Sequence, residues 1–316
     1  MGNIYSIANN KMTLQLTPYG ASMRHLKLCD GSEPLLSLAS ENDYIRDSSY
    51  AGTVIAPAGG RIKNGEITII DKTFSLTKNE GKNMLHSGRC SSARRIWEVG
   101  SVRKESVSFI CRLEDGADGF PGSRIITAEY ALDYRSIVLN IRCTTDKPTY
   151  FNPTTHAYWN FHQTKSALDH ALVMSAKYYW LNDETFVPVM RIPVKPHSSF
   201  SFVRRITMND AVKRGDQFNQ LKDGKGYNNA FCAAKAVLSY GSLSMTYTTN
   251  ASCIWLYSGG YLDSSTKLIC RKDGKNILTD AESSCGIALE GSDVYNHRVT
   301  EPGDIFNRTF SFTFNI

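Results

Sequence analysis

A histidine at position 156 lies within a run of aromatic and hydrogen-bonding residues, FNPTTHAYWNF at positions 151–161. Aromatic faces can cover the C–H faces of a ring-shaped polar substrate, while amides and hydroxyls pair with its substituents. An imidazole can transfer a proton near neutral pH. The stretch therefore predicts a site for a polar, ring-shaped molecule, with His156 as the group that moves a proton.

Two other regions add residues that suit acid–base chemistry. Arg61 and His86 lie in the segments GGRIKNG and NMLHSG, and Glu290 lies in ALEGSD near the C-terminus. A carboxylate and an imidazole at one reacting group can act as base and acid. Each residue also has a structural interpretation, because a lone histidine usually packs, Glu290 can pair with a lysine, and Arg61 can form a surface ion pair.

The elements that position these residues show a period of two. Strict alternation of apolar and polar residues predicts strands with one buried face, as in antiparallel sheets. The alternating apolar positions include Met12, Leu14 and Leu16; Val107, Phe109, Cys111 and Leu113; Ile126, Ala128, Tyr130 and Leu132; Ile137, Leu139, Ile141 and Cys143; Leu243, Met245 and Tyr247; and Phe310, Phe312, Phe314 and Ile316.

Helical periodicity is scarce. Residues 204–214 predict one short helix, and residues 40–47 predict a turn. No linker rich in proline, glycine or serine divides the chain. We therefore predict an all-β fold, a large sandwich of many antiparallel strands that forms a single domain over residues 1–316.

Composition excludes several classes of protein. The chain has 316 residues, of which 41% are hydrophobic and 21% charged, as in ordinary globular proteins. Its net charge of +6 is scattered, with no basic stripe, so we expect no binding to nucleic acid. No apolar run approaches the length of a membrane span, and we expect no membrane association. The eight cysteines contain no C-x-x-C pair, which argues against a metal or redox motif and predicts a cytoplasmic protein.

The order and spacing of the motifs resemble the galactose mutarotases, or aldose 1-epimerases, over nearly the whole chain. The matching segments are PYGAS at 18–22, GRIKN at 60–64, LHSG at 85–88, DGFPG at 118–122, THAYWN at 155–160, and Leu289-Glu290 followed by Asp293.

This resemblance implies a β-supersandwich with a sugar cleft on one face, and an isomerase that interconverts the α and β anomers of a free aldose. Glu290 matches the family's general base and His156 its general acid. His86 and Arg61 match residues that bind and polarise the sugar. The reaction moves neither electrons nor a phosphoryl group, so no cofactor or metal is expected. A small sugar is the expected partner, and the protein is expected to be a monomer or a homodimer.

The binding residues depart from the family pattern. Asn228 takes the place of an aspartate that holds sugar hydroxyls, and an amide loses the strength of a charge-assisted hydrogen bond. Thr155, Ser87 and Ser292 also replace the family's usual residues. Of the adjacent aromatic residues at 158 and 159, at most one is expected to face the sugar, and Tyr158 is the candidate.

Two alternatives remain open at this stage. Arg89, Arg94 and Arg95 follow His86 and could bind the anionic group of a phosphorylated or otherwise charged sugar, unless they lie on the solvent side of a strand. The chain could instead be a carbohydrate-binding or regulatory module without turnover. The five other histidines have no motif around them and are expected to lie at the surface or pack.

Overall fold

The computed structural model describes residues 4–162, 166–272, 275–294 and 298–316. The described residues form mostly β-strands, with three short α-helices and three single turns of 3-10 helix. No helix among them is long and apolar enough to cross a membrane. Of the histidines expected to be structural, His297 lies outside the described residues.

The strands of the first half are β1 (Tyr5–Ala8), β2 (Met12–Thr17), β3 (Ser22–Leu28), β4 (Ser37–Leu38), β5 (Val54–Ile55), β6 (Arg61–Ile62), β7 (Glu66–Ile69), β8 (Lys72–Ser75), β9 (Met84–Leu85), β10 (Glu98–Val102), β11 (Ser106–Leu113), β12 (Arg124–Asp133), β13 (Ser136–Thr145), β14 (Thr149–Tyr150) and β15 (Thr154–Thr155).

The strands of the second half are β16 (Tyr158–Trp159), β17 (Ala171–Met174), β18 (Tyr178–Asn182), β19 (Pro188–Pro193), β20 (Phe202–Thr207), β21 (Asn228–Phe231), β22 (Lys235–Tyr240), β23 (Leu243–Thr249), β24 (Cys253–Tyr257), β25 (Lys267–Lys272), β26 (Lys275–Asp280), β27 (Ile287–Ser292), β28 (Val299–Thr300) and β29 (Phe306–Asn315). The helices are α1 (Glu41–Arg46), α2 (Met208–Val212) and α3 (Phe218–Asp223).

Nine strands form the larger antiparallel sheet, in the order β10-β11-β12-β13-β29-β23-β22-β17-β20. Its long central strands are those that the alternation predicts. Ile126 pairs with Cys143 and Tyr130 pairs with Leu139, and all four side chains are buried. One face of this sheet therefore builds the core, and Cys111, one of the alternating positions, is a buried free thiol there.

A six-stranded sheet, in the order β16-β27-β24-β21-β18-β19, covers that face. The ring of Trp159 in β16 lies 5.1 Å from Phe312 and 5.8 Å from Phe314 in β29. Trp159 is fully buried, and burying a side chain of this kind stabilises the fold by about 1.5–3 kcal/mol. Trp159 is thus a core residue, and only its neighbour Tyr158 faces the opposite way.

The six-stranded sheet also positions the polar residues, because successive side chains point to opposite faces. Leu289 and Leu256 pair across β27 and β24 and point into the core. The next pair along, Glu290 and Trp255, points to the outer face. On that same face Tyr257 lies opposite Asn228 of β21. The alternation that builds the core therefore delivers a carboxylate, an amide and two aromatic rings to one surface.

The predicted helix at 204–214 is wrong in its first part. Residues 202–207 form the edge strand β20, which pairs with β17, and helix α2 covers only 208–212. The Thr207 hydroxyl caps this helix by accepting a hydrogen bond from the Asp210 amide at 3.1 Å. Residues 40–47, predicted as a turn, contain helix α1, which Ser40 caps in the same way.

Candidate active site

A cavity of about 350 Å³ lies over the outer face of the six-stranded sheet. Strands β27, β24 and β21 form its floor, and segments around residues 50, 60 and 86 form its opposite wall. It brings together all the residues that the sequence analysis selected: Arg61, His86, His156, Tyr158, Asn228 and Glu290.

Glu290 and His156 lie side by side at the base of the cavity. Glu290 projects from β27, and its Oε1 atom is 3.5 Å from Nε2 of His156. The backbone of His156 is fixed between strands, since its N–H donates to Thr53 and its carbonyl accepts from Gly52, at 3.0 and 2.9 Å. Both side chains are more than 90% buried. A carboxylate and an imidazole are therefore held at a short, defined separation away from bulk water.

Burial controls the protonation of this pair, because removal from water disfavours the charged form of each group. It raises the pKa of Glu290 to about 8, an effect that the positive charge of Arg61 partly offsets. It lowers the pKa of His156 to about 4. For Glu290, desolvation therefore outweighs the influence of Arg61. Between these two values the pair holds one proton and has no net charge.

His86 lies on the opposite wall in a left-handed backbone conformation, with φ of 48°. Its Nδ1 atom accepts a hydrogen bond from the Gly60 N–H at 3.2 Å, so the proton of the neutral ring is on Nε2. Burial first, and then the neighbouring His156 and Arg61, hold the pKa of His86 well below its usual value. His86 therefore offers one N–H donor, and its ring centroid lies 5.5 Å from that of His156.

Arg61 is held at the cavity wall by a residue that sequence reasoning missed. Its Nε and Nη2 atoms donate to the two carboxylate oxygens of Glu80 at 2.6 and 2.7 Å. The guanidinium group also lies over the ring of Phe186, 5.1 Å from the ring centroid. This bidentate pair fixes the orientation of Arg61 and offsets its charge.

Asn228 is also held by a neighbour on the cavity floor. The indole Nε1 of Trp255 donates to the Asn228 Oδ1 atom at 2.7 Å. Tyr158 presents its ring to the cavity, while its hydroxyl donates to the Ser49 carbonyl at 3.1 Å. Tyr158 can thus contact a ligand through its aromatic face, and its hydroxyl is engaged in the fold.

The positions that depart from the family pattern have structural roles. The Ser87 hydroxyl donates to the Ala58 carbonyl and accepts from the Ala58 amide, both at 2.7 Å, which ties the His86 turn to the wall. Ser292 lines the cavity, and its hydroxyl accepts from Asn152 at 3.0 Å. Thr155 is fully buried beside His156.

The ligand atoms of His86, His156 and Glu290 lie within 4.8 Å of one another, and this is the one group of three in the described residues that a metal ion could contact. Two histidines and a glutamate are a ligand set that zinc accepts. The expected independence from metal therefore stays a prediction that requires a chelation experiment.

Several lining residues were not predicted. Trp255 and Tyr257 belong to a strand that is buried on both faces, so no alternation marks them. Tyr50, Phe186 and Tyr261 come from loops, and no local sequence signal connects a loop aromatic to a distant cavity. Tyr50 packs against His86, with ring centroids 4.7 Å apart.

Two of the three arginines considered for an anionic substrate, Arg89 and Arg94, lie next to the main cavity. Arg94 is exposed and lies over the Tyr50 ring, 5.0 Å from its centroid. Arg89 and Arg94 line a cavity of about 430 Å³ that shares Tyr50 and Glu80 with the main one. The Arg95 Nε donates to the Cys90 carbonyl at 3.0 Å.

The chain resembles known proteins over almost its entire length. A sequence model of the aldose 1-epimerase family matches residues 3–297. The galactose mutarotase of Mus musculus is 26% identical, over 99% of this chain and 94% of that protein. The aldose 1-epimerase of Escherichia coli is 30% identical, over 82% of this chain and 79% of that protein.

Solved structures show the same architecture. A galactose 1-epimerase from Lactobacillus acidophilus superimposes with a TM-score of 0.85 at 25% identity, covering 98% of this chain and 93% of that one. An aldose epimerase homologue from C. elegans gives 0.86 at 23% identity, covering 100% and 99%. The predicted β-sandwich of the galactose mutarotase type is confirmed. The chain belongs to the aldose 1-epimerase family and is an enzyme of the isomerase class.

Proposed function

We propose that the protein interconverts the α and β anomers of a free hexose or related aldose. The observation that carries this proposal is the contact between Glu290 and His156, which lie 3.5 Å apart in the cavity and are both buried. The names of the relatives from Mus musculus and Escherichia coli agree with it.

The reaction needs an acid and a base close together, because the anomeric hydroxyl and the ring oxygen are bonded to the same carbon. Glu290 as carboxylate accepts the proton of the O1 hydroxyl, while protonated His156 donates to the ring oxygen. The C1–O5 bond breaks and the aldehyde forms. After rotation about C1–C2, the reverse transfers close the ring on the other face. Each transfer requires a heavy-atom reach of about 2.6–3.2 Å, and each typically contributes about 10²–10⁴-fold.

The other residues bind the sugar in this proposal. The Nε2–H of His86 and the guanidinium of Arg61 donate hydrogen bonds to sugar oxygens, and Asn228 holds a further substituent. The rings of Tyr158 and Tyr257 cover the apolar faces of the sugar. The residues of the cavity thus supply both the proton transfers and the contacts that a neutral sugar needs.

Polarimetry of freshly dissolved α-D-galactose and α-D-glucose tests the proposal. Glu290→Gln should abolish turnover while sugar binding stays within about tenfold, since the amide keeps the shape but cannot accept the proton. His156→Ala should lower kcat by at least about 100-fold. Glu98→Gln and His162→Ala alter exposed residues outside the cavity and serve as matched controls. An active Glu290→Gln protein would exclude Glu290 as the base.

A phosphorylated or otherwise anionic aldose is the second candidate, because Arg89 and Arg94 line the cavity that continues from the main one. Glu80 lines both cavities and opposes an anion there, which favours the neutral sugar. Comparing glucose with glucose 6-phosphate as substrate separates the two. A protein that binds these sugars without accelerating mutarotation would instead be a binding or regulatory module.

A further inference from the structure

The side-chain amide of Asn228 has a fixed orientation in this cavity, which decides whether it offers a donor or an acceptor to a ligand. An indole N–H can only donate a hydrogen bond, so the atom that it contacts at 2.7 Å must be the amide oxygen of Asn228. That oxygen is engaged by Trp255, while the Nδ2 group of Asn228 makes no hydrogen bond to a described residue. Asn228 lines the cavity and is only 6% exposed.

We infer that Asn228 determines specificity as a donor, so that the protein selects aldoses that place a hydrogen-bond acceptor against its Nδ2 group. This inference rests on the proposed function. A carboxylate at position 228 would have the opposite polarity, because one oxygen would accept from Trp255 and the other would require a donor from the sugar. A sugar hydroxyl satisfies either arrangement, whereas an acceptor that carries no hydrogen satisfies only the amide.

Sugars in which one hydroxyl is replaced by fluorine test this polarity, because fluorine accepts weakly and cannot donate. Deoxyfluoro and deoxy analogues of galactose at positions 2, 3, 4 and 6 are compared by polarimetry and, independently, by titration calorimetry. At the sugar position that contacts Asn228, the native protein should bind the deoxyfluoro analogue less than about threefold more weakly than galactose. It should bind the deoxy analogue more weakly than that. Asn228→Asp should keep the parent sugar and lose at least about tenfold with both analogues at that position.

Trp255→Phe is the matched control. It keeps an aromatic ring and removes the indole N–H, so the amide becomes free to rotate and should accept or donate. Its tolerance of the analogues should therefore fall between those of the other two proteins. Identical analogue profiles for the native protein and Asn228→Asp would overturn the inference. Binding without turnover would contradict the proposed function alone, and absence of any sugar binding would overturn both.

An independent observation concerns two cysteines on the same face of the six-stranded sheet. Phe231 of β21 pairs with Ile254 of β24, so the next residues, Cys232 and Cys253, lie opposite each other. Their Sγ atoms are 3.7 Å apart. The Cys232 N–H donates to the Tyr178 carbonyl of β18, on the side of Cys232 away from Cys253. Cys232 and Cys253 are therefore a cross-strand pair without backbone hydrogen bonds between them. In antiparallel sheets the Cα atoms of such pairs are closest, at about 4.5 Å.

We propose that Cys232 and Cys253 form a disulfide when the protein meets a peroxide. Cys232 is partly exposed and Cys253 is buried, so the peroxide oxygen meets Cys232 first. The Cys232 thiolate attacks one oxygen of hydrogen peroxide, the O–O bond breaks, and a sulfenic acid forms as hydroxide leaves and takes up a proton from solvent to become water. The Cys253 thiol then attacks the Cys232 sulfur, and its proton leaves with the sulfenic hydroxyl as a second water. The sulfurs must approach to about 2.05 Å, which a small shift of both strands supplies.

The surroundings favour this chemistry and connect it with the cavity. The hydrogen bond from Cys253, followed by the charge of Arg191, lowers the pKa of Cys232, against an opposing effect of burial. Trp255 follows Cys253 by two residues and packs in the same apolar cluster. The disulfide would therefore form on the same strand as the indole that holds Asn228.

Peptide mapping by mass spectrometry after hydrogen peroxide treatment tests the proposal on the whole protein. A cross-linked pair of peptides containing Cys232 and Cys253 should form and disappear with dithiothreitol. Cys253→Ser should stop at a sulfenic acid on residue 232 that dimedone traps, whereas Cys90→Ser, which removes an exposed thiol, should still form the disulfide. Oxidation of Cys29 and Cys90 without the cross-link, or direct conversion of Cys232 to a sulfinic acid, would refute it.

Discussion

The pH dependence of turnover is the sharpest consequence of the paired Glu290 and His156. The proposed mechanism requires the state in which Glu290 is ionised and His156 is protonated. With a pKa of about 8 for Glu290 and about 4 for His156, moving the proton from the carboxyl to the imidazole costs about 5 kcal/mol before the attraction of the new charges is counted.

That attraction is of similar size. Two unit charges 3.5 Å apart attract by about 5 kcal/mol at an effective dielectric constant of about 20. The two energies are about equal, so the ion-pair form stays a substantial fraction of the one-proton pair. Because both forms carry one proton, this fraction does not change with pH while the pair holds that proton.

The predicted profile of kcat/KM is therefore a broad plateau that falls below about pH 4 and above about pH 8. Ordinary values of about 4.5 and 6.5 would instead give a narrow bell, with a fall of about 20-fold between pH 6 and pH 8. The perturbed pair predicts a fall of only about twofold over the same interval. Polarimetry of α-D-galactose, with the spontaneous rate subtracted at each pH, measures this ratio.

A fall centred near pH 6.5 would refute the reasoning, because it would show that the acid titrates as an exposed histidine does. The control is Glu98→Gln, which removes an exposed carboxylate that pairs with Arg112 and should leave the profile unchanged. Any residual activity of Glu290→Gln should lack the upper limb, since the residue that sets it is gone.

Three further predictions follow from the same contacts. Glu80→Gln should lower kcat/KM by about tenfold and move the upper limb to lower pH, because an uncompensated Arg61 lowers the pKa of Glu290 further; an unmoved limb would argue against this coupling. Treatment with EDTA should leave activity intact, and a loss that zinc restores would assign the three clustered side chains to a metal. Because the pKa of Glu290 is raised in the folded state, the contribution of this group to the free energy of unfolding is complete below about pH 4.5 and is lost as the pH rises towards 8. The Glu290→Gln protein lacks this loss, so its free energy of unfolding should increase relative to that of the native protein by up to about 4 kcal/mol between pH 5 and pH 8. Urea unfolding that shows the same difference between the two proteins at both pH values would contradict this.

The sequence predicts the fold well because one physical rule dominates it. Alternation identifies the long strands of the nine-stranded sheet, and these are the strands whose inner residues are fully buried. The rule fails at residues 202–207, where an exposed edge strand runs into a capped helix and both patterns merge. The single-domain assignment, the oligomeric state and the cytoplasmic location stay predictions.

The candidate site shows the limit of local patterns more clearly. Glu290, His156 and His86 stand in recognisable motifs, and the fold brings them together as the resemblance implies. Glu80 and Trp255 do not stand in recognisable motifs. Their roles depend on a partner that is distant in the sequence: Glu80 contacts Arg61, and Trp255 contacts Asn228. The polarity of Asn228 is a property of that contact and cannot be read from the amide alone.

The burial of Glu290 and His156 in the cavity determines how the two residues share a proton. A carboxylate and an imidazole in water would differ by about 2 pKa units and would be ionised together only in a narrow range near pH 5.5. Burial on the floor of a sheet separates the two pKa values in the opposite sense and so makes the pair share one proton over about 4 pH units. The attraction between the two charges at this short distance offsets the loss of hydration that disfavours the ion-pair form. The proton can therefore move in either direction between the two residues. The proposed ring opening needs this balance, because in that mechanism each residue acts as acid in one direction and as base in the other.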